Sequence, residues 1–266
     1  MQLLAIDCGR CNVKVYDGHN GKVIPSVIGS GRRRDLREVE PSDIELVYKG
    51  EHHFVGDLAI RESELPRRLM TKTKVHEQTL LLTLAAICSA TAHDKITLIT
   101  GLPKDQHTAE EKSKLRHLLS GRHDIIFNGR PRQLEIPVVE ISFEGGGAFW
   151  ARQVDGLEHI IDAGAKTVNC VTINNKRFID KLSFTLPYGC DTSRFSSIKD
   201  LALAIVSDVS RFWDTDESVR IVGGKALELL PYIQQYYPKA YVPDEYLLAN
   251  AIGYYELLEK KYAKNR

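Results

Sequence analysis

No apolar run in this chain of 266 residues approaches the ~20 residues needed to span a bilayer. The N-terminus also lacks the basic-then-apolar pattern of a secretion signal, so Leu3 to Ile6 reads as a buried strand and a cytoplasmic location is expected. Neither sign of charge is in excess: a formal net charge of +1 excludes a basic nucleic-acid footprint over the whole surface. Cysteine is scarce and odd in number, five in all, and shows no disulfide framework. Cys8 and Cys11 do form a C-x-x-C after a strand. In a thioredoxin-like fold that motif opens a helix, whereas here NVKVYDG continues as an alternating strand. No second C-x-x-C completes a zinc site, and the nine histidines show no paired metal spacing. The cysteine pair therefore reads as small turn residues. Low-complexity tracts are few, and an apolar content of 43% indicates a globular protein.

What is present is a pattern that occurs twice. Asp7 ends an apolar run, a short turn holds Gly9, Asn12 and Lys14, and a second strand follows. From His159, HIIDAGAKTVNCVTIN repeats the design with Asp162 and Gly164. Two strand–Asp-x-Gly–strand turns suggest two phosphate-gripping hairpins facing each other across a cleft, although Asp-x-Gly alone also simply makes hairpin turns. Carboxylates at strand ends beside glycines suit a hydrated Mg²⁺ that bridges phosphates, which makes Asp7 and Asp162 the metal candidates. Gly9 and Gly164 allow backbone N–H groups to approach phosphate, and Lys14 can reach it as a point charge.

The remaining elements fit a duplicated α/β pattern. The first part reads as strands over 3–7, 12–17, 22–25, 44–48 and 52–55, with an irregular segment around Arg32, Arg33, Arg34 and Arg37 taken as a solvated loop or a protein contact. A deeply packed helix over 75–92 precedes a buried parallel strand over 96–103, a polar helix over 105–120 and strands near 123–128 and 134–141. The division expected is 1–144, with a small inserted part near 25–75, and 145–266, whose C-terminal helix returns to the first domain. The second domain reads as strands over 159–163, 167–174 and 176–186, a helix over 197–213, IVGG as a strand, and helices over 225–237 and 244–263. Gly223 and Gly224 end that strand and would let a base or ribose lie against backbone. Glu144 ends a strand eighteen residues before Asp162, where a carboxylate can orient the water that attacks a γ-phosphate. Tyr236, Tyr237, Tyr241, Tyr254 and Tyr255 read as helix packing, with any exposed subset available for an interface.

The pieces IDCGRCNVKVY, FVGDLA, ITGLP, ISFEGGGAFWA, IIDAGAKTVN, IVGG and PDEYLLANAIGYYEL, in this order, resemble the actin-like ATPases, in particular the plasmid-segregating ParM, StbA and AlfA group. The resemblance implies an actin-like, ribonuclease H-like duplicated fold that binds ATP, or GTP, with Mg²⁺. It implies Asp7, Gly9, Arg10, Asn12 and Lys14 in the first phosphate loop, Asp162, Gly164 and Thr167 in the second, and Gly223 and Gly224 in the adenosine motif. Glu144 matches the family's water-activating acid, with Asp162 as its catalytic companion. Relatives place a small hydroxyl residue where this chain has Arg10, and Thr where it has Cys11. Only about sixty residues separate Asp162 from Gly223, which resembles the AlfA-type form lacking the small subdomain IIB. The implied function is a filament for plasmid segregation whose partners are further copies of itself and a DNA-bound adaptor of ParR type, without direct contact to DNA or membrane. The rival is a small-molecule kinase of the same superfold. It needs an acceptor-activating aspartate, for which Asp57 and Asp105 are the candidates. A membrane-division or pilus ATPase of the superfamily would need an amphipathic terminal helix that the sequence does not show.

Overall fold

A strand covered on both faces is apolar throughout, and one with a solvated face alternates. Both patterns occur in the computed structural model, which describes residues 2–34, 39–69 and 73–262. β1 (Gln2–Cys8) is buried along nearly its whole length, whereas β2 (Asn12–Tyr16) alternates. The strands β3 (Gly21–Pro25), β4 (Val27–Ser30), β5 (Ile44–Tyr48), β6 (Glu51–Val55), β7 (Arg67–Arg68), β8 (Lys95–Leu102), β9 (Gly121–Phe127) and β10 (Arg130–Phe143) complete one sheet. Its order is β3-β2-β1-β8-β10-β9-β5-β6-β4-β7. β1 pairs antiparallel with β2 and parallel with β8.

Three helices accompany this sheet: α1 (Asp57–Glu62), α2 (Glu77–Ala90) and α3 (Ala109–Leu119). α2 is buried from Thr79 to Cys88, so it has no solvent stripe. The His76 ring accepts a bond from the Gln78 N–H to cap its start. α3 buries only Leu115 and Leu119, and Thr108 caps it through the Glu111 N–H.

A second sheet has the order β13-β12-β11-β15-β16, built from β11 (Leu157–Ala163), β12 (Val168–Asn174), β13 (Arg177–Phe178), β15 (Val219–Val222) and β16 (Ala240–Tyr241), with β14 (Phe184–Leu186) pairing β12. Its helices are α4 (Gly146–Ala151), α5 (Ile198–Val209), α6 (Ala226–Ile233) and α7 (Ala249–Tyr262). Here β11 pairs antiparallel with β12 and parallel with β15, the same arrangement that β1 makes with β2 and β8. Ile161, Val168, Leu201, Ile205, Trp213, Leu229 and Tyr237 form its main core. The chain divides into two compact units, Met1–Gly101 with Thr108–Ile141 and Leu258–Arg266, and Leu102–His107 with Ser142–Leu257.

Several local expectations differ from the structure. The strand expected over 176–186 is two short strands around a 3₁₀ turn at Asp180–Leu182. Asn175 and Lys176 take positive φ there, and the Ser183 hydroxyl substitutes for ladder partners by accepting from the Thr172 N–H and donating to the Ile179 carbonyl. The last helix begins at Ala249 rather than 244, because residues 243–248 turn through i to i+3 bonds. Arg32 and Arg33 are exposed as expected of a solvated loop. Arg34 is not: its buried side chain pairs with Asp43 at 3.6 Å and Glu45 at 2.7 Å and lies over the Phe54 ring. Arg37 falls outside the described residues. Of the five tyrosines, Tyr237 and Tyr254 are fully buried, Tyr241 and Tyr255 half-buried, and Tyr236 is exposed.

Candidate functional site: two glycine-turned hairpins

The two Asp-x-Gly turns have the same internal geometry. The Gly9 N–H donates to the carbonyls of Asp7 and Asn12, each at 3.1 Å, and the Gly164 N–H donates to those of Asp162 and Thr167, each at 3.1 Å. A Cβ on Gly9 would stand 2.8 Å from the Asn12 carbonyl oxygen, and one on Gly164 would stand 2.8 Å from that of Thr167. Only glycine closes so tight a turn. The glycines' own N–H groups bond within the turn, so the groups that can meet a phosphate belong to the tip residues that follow, Arg10 and Cys11 in one hairpin and Ala165 and Lys166 in the other. Arg10, Cys11 and Asn12 are half-buried, as are residues 164 to 167.

A neighbouring segment pins each tip. Ser26 donates from its hydroxyl to the Gly9 carbonyl at 2.6 Å and from its N–H to the Cys11 carbonyl at 2.8 Å. In the second unit the N–H groups of Cys190 and Asp191 donate to the carbonyls of Gly164 and Ala165 at 2.9 and 2.8 Å. The two hairpins differ in what faces the buried aspartate. Lys14 stands opposite Asp7 in register and binds its Oδ2 at 3.1 Å. Asn169 holds that place opposite Asp162 and accepts a bond from the Thr185 hydroxyl. The carboxylate of Asp162 instead accepts from the Asn250 amide at 2.9 Å.

Two more predicted residues join the second hairpin. Gly223 is buried at φ +101°, and a Cβ there would come within 2.5 Å of the Ala163 carbonyl, so the end of β15 lies directly on the hairpin's first strand. Gly224 is exposed, and a Cβ there would meet nothing within 4 Å. Glu144 is half-buried, with its N–H bonded to the Leu102 carbonyl at 2.8 Å. Gly145, next in sequence, would bring a Cβ within 3.8 Å of the Asp162 Cβ. The structure thus gathers Asp7, Gly9, Asn12 and Lys14 in one unit, and Asp162, Gly164, Thr167, Gly223 and the turn after Glu144 in the other. Asp57 and Asp105, the aspartates a kinase would need, are both exposed.

Sequence reasoning missed two residues. Lys74 is a buried lysine whose Nζ lies 4.0 Å from Asp7 Oδ1 and 3.4 Å from the Gly101 carbonyl. In a polar stretch such a lysine carries no sign of burial. Asn250 is the other, and it lies 88 positions from the aspartate it binds. No cluster of three His, Cys, Asp or Glu side chains able to hold a metal exists among the described residues. Mg²⁺ keeps most of its waters and takes oxygens from phosphate, so one carboxylate beside each turn fits its needs.

Two α/β units, each with a glycine-turned hairpin beside a parallel strand, define a duplicated fold of the ribonuclease H-like kind. The model of the actin-like proteins' N-terminal domain matches residues 5–147, more than half of the chain, which therefore belongs to the actin-like proteins. Comparison with curated proteins finds no match. Among solved structures the chain is similar to an AlfA filament bound to AMPPNP, at 22% identity and a TM-score of 0.75, covering 100% of this chain and 98% of that one. It is similar to a 15-stranded ParM filament from Clostridium botulinum, at 21% identity and a TM-score of 0.81, covering 97% and 99%. An archaeal actin homologue in complex with ADP superposes with a TM-score of 0.80 at 18% identity, covering 98% and 100%. The fold is the actin-like one. Among the described residues no helix is long and apolar enough to cross a membrane.

Proposed function

We propose that this chain is a nucleotide-dependent polymerising protein whose filaments segregate plasmid DNA, with hydrolysis of ATP, or of GTP, governing filament turnover. The observation that carries the reading is the duplicated turn: two buried aspartates, each beside a glycine that only a tight, tip-exposing hairpin requires. Similar proteins bound to AMPPNP or built into filaments support it. In this reading the tip N–H groups, with Lys14 and Thr167, hold the phosphates, and Arg10 adds a charge where relatives carry a hydroxyl. Asp7 and Asp162 support a hydrated Mg²⁺, which would neutralise charge developing on the phosphates. Glu144 orients the attacking water and accepts its proton, and Gly223 and Gly224 take the nucleoside.

In this reading the two functional domains are 1–144 and 145–266, with the C-terminal helix returning to the first, and the short span from Asp162 to Gly223 supports a form without subdomain IIB. Copies of the chain then associate head to tail, an arrangement that yields open helical filaments. A DNA-bound adaptor of ParR type would link the filament to its cargo, and the exposed Arg32 and Arg33 are available for such a contact. Light scattering and pelleting on addition of Mg-ATP or Mg-GTP test the proposal. A nucleotide-dependent rise with pelletable polymer is expected, abolished by Asp162→Ala. Glu144→Ala should still assemble but release phosphate slowly. No polymer at any protein concentration, with phosphate passed to a small alcohol, would sink it in favour of a kinase.

A further inference from the structure

Asn250 lies on the first turn of α7, is buried, and bonds two separate parts of its unit. Its Oδ1 accepts from the N–H groups of Gly145 at 3.1 Å and Ala148 at 3.2 Å, where α4 begins. Its Nδ2 donates to Asp162 Oδ2 at 2.9 Å. These partners leave one orientation for the amide, since two N–H donors need the oxygen and a carboxylate needs the NH₂. A short neutral amide offers, from one planar head, an oxygen that can accept both N–H groups and an NH₂ that can donate to the carboxylate.

The backbone around this amide has little room to shift. A Cβ on Gly147 would lie 2.8 Å from the Asn250 carbonyl oxygen and 2.7 Å from Tyr254 Cε1. A Cβ on Gly253 would lie 1.7 Å from the Gly147 carbonyl oxygen. α4 and α7 therefore meet glycine to glycine, and the meeting point adjoins Glu144 on one side and Asp162 on the other. At the far end of α4, the Arg220 guanidinium donates to the carbonyls of Ala148 and Arg152 at 2.7 and 2.6 Å. The short helix is held at both ends.

We propose that Asn250 is a positioning residue that holds the Asp162 carboxylate and the Glu144–Gly147 turn in one geometry. The two acids assigned to the metal and to the water then keep a constant relation during turnover. This inference rests on the nucleotide reading for its purpose, while the bond itself can be tested without nucleotide. Asn250→Asp keeps both acceptor contacts to α4 but sets a carboxylate against a carboxylate at Asp162. Asp162→Asn keeps an amide oxygen that can still accept from the Asn250 NH₂ but removes the carboxylate's charge. The exchanged pair, Asn250→Asp with Asp162→Asn, reverses donor and acceptor and restores the bond.

Thermal unfolding of the nucleotide-free chain should show Asn250→Asp several degrees below the parent and the exchanged pair recovering most of that loss. In Mg-ATP turnover, Asn250→Asp should lower kcat roughly tenfold or more, since small displacements of a reacting group are costly. KM should change by less than about threefold, the mark of an effect on the reacting geometry rather than on uniform binding. No recovery of stability in the exchanged pair overturns the inference. Recovery with kcat unchanged in Asn250→Asp also overturns it, leaving only a structural bond. If the pair recovers and the parent neither binds nor hydrolyses nucleotide, the nucleotide reading fails while the Asn250–Asp162 bond stands.

Discussion

Gly224 separates what the chain needs for itself from what a ligand needs. Its neighbour Gly223 is forced by a positive φ and by the Ala163 backbone, but a Cβ on Gly224 meets nothing within 4 Å. Gly224→Ala should therefore leave the unfolding midpoint within about a degree or two of the parent. Affinity for a fluorescent ATP analogue should fall by roughly tenfold or more if a nucleoside lies against this backbone. Unchanged affinity would remove Gly224 from the site. Arg220 gives the opposite case, a residue that stability needs. It is fully buried, pairs with Glu158 at 2.6 Å, and shares that carboxylate with the Tyr241 hydroxyl, which donates to it at 2.6 Å. Arg220→Met leaves Glu158 charged and buried without its cation, a loss of about 3–5 kcal/mol. Urea denaturation measures it, and a loss under about 1 kcal/mol would mean that the ion pair is replaceable by packing.

At the scale of elements, His159 ties β11 to β12 and to the turn before β15. Its Nε2–H donates to Glu217 at 2.6 Å, its Nδ1 faces the Thr172 hydroxyl at 2.8 Å, and its ring stacks on Trp213 at 4.3 Å. The Thr172 hydroxyl lies 2.8 Å from both Nδ1 and the Leu182 carbonyl, and because that carbonyl also accepts from the Trp213 indole, the one hydroxyl proton can go to Nδ1 and satisfy a neutral ring. Burial lowers the His159 pKa despite the pull of Glu217, and burial likewise lowers those of His53 and His123. The unfolded chain then binds more protons below the ordinary histidine value of about 6.5, so stability is present above that pH and lost as the pH falls towards the lowered folded values. Urea midpoints should drop between about pH 7.5 and 5.5. His159→Gln should be less stable at the higher pH yet show a shallower drop. An equal drop in both proteins would place the titration elsewhere. The elements carrying this chemistry were legible to different degrees. Both hairpins announced themselves because apolar strand, Asp-x-Gly and returning strand are local, and the β8 run is long and apolar. Arg34, Arg220, Lys74 and Asn250 were not legible. Each is polar in a sequence context that suits solvent, and its burial depends on partners brought from elsewhere in the chain. The break at residues 179–183 was hidden for a similar reason, since one serine hydroxyl replaces ladder bonds.

For the molecule as a whole, charge and duplication set the expectations. A net charge of +1 offers no general field for a phosphate backbone, which suits the proposal that any DNA cargo is reached through an adaptor. Duplication makes a sharper demand, because each unit supplies one buried aspartate. A ligand that binds only the folded state stabilises it by RT ln(1 + [L]/Kd), about 2.7 kcal/mol at a hundred times Kd. Mg-ATP at that excess should raise the unfolding midpoint of the chain under conditions kept dilute enough to prevent polymer. Asp7→Ala and Asp162→Ala should each abolish the rise, although the two residues belong to different units. Each substitution alone also costs some stability, so the comparison is the shift within each variant rather than the midpoint itself. Lys14→Gln should give an intermediate shift, because it removes a charge from the phosphates while leaving Asp7 in place. If Asp162→Ala loses the shift and Asp7→Ala keeps all of it, nucleotide is held by the second unit alone. The first hairpin would then share the fold of the second without its task.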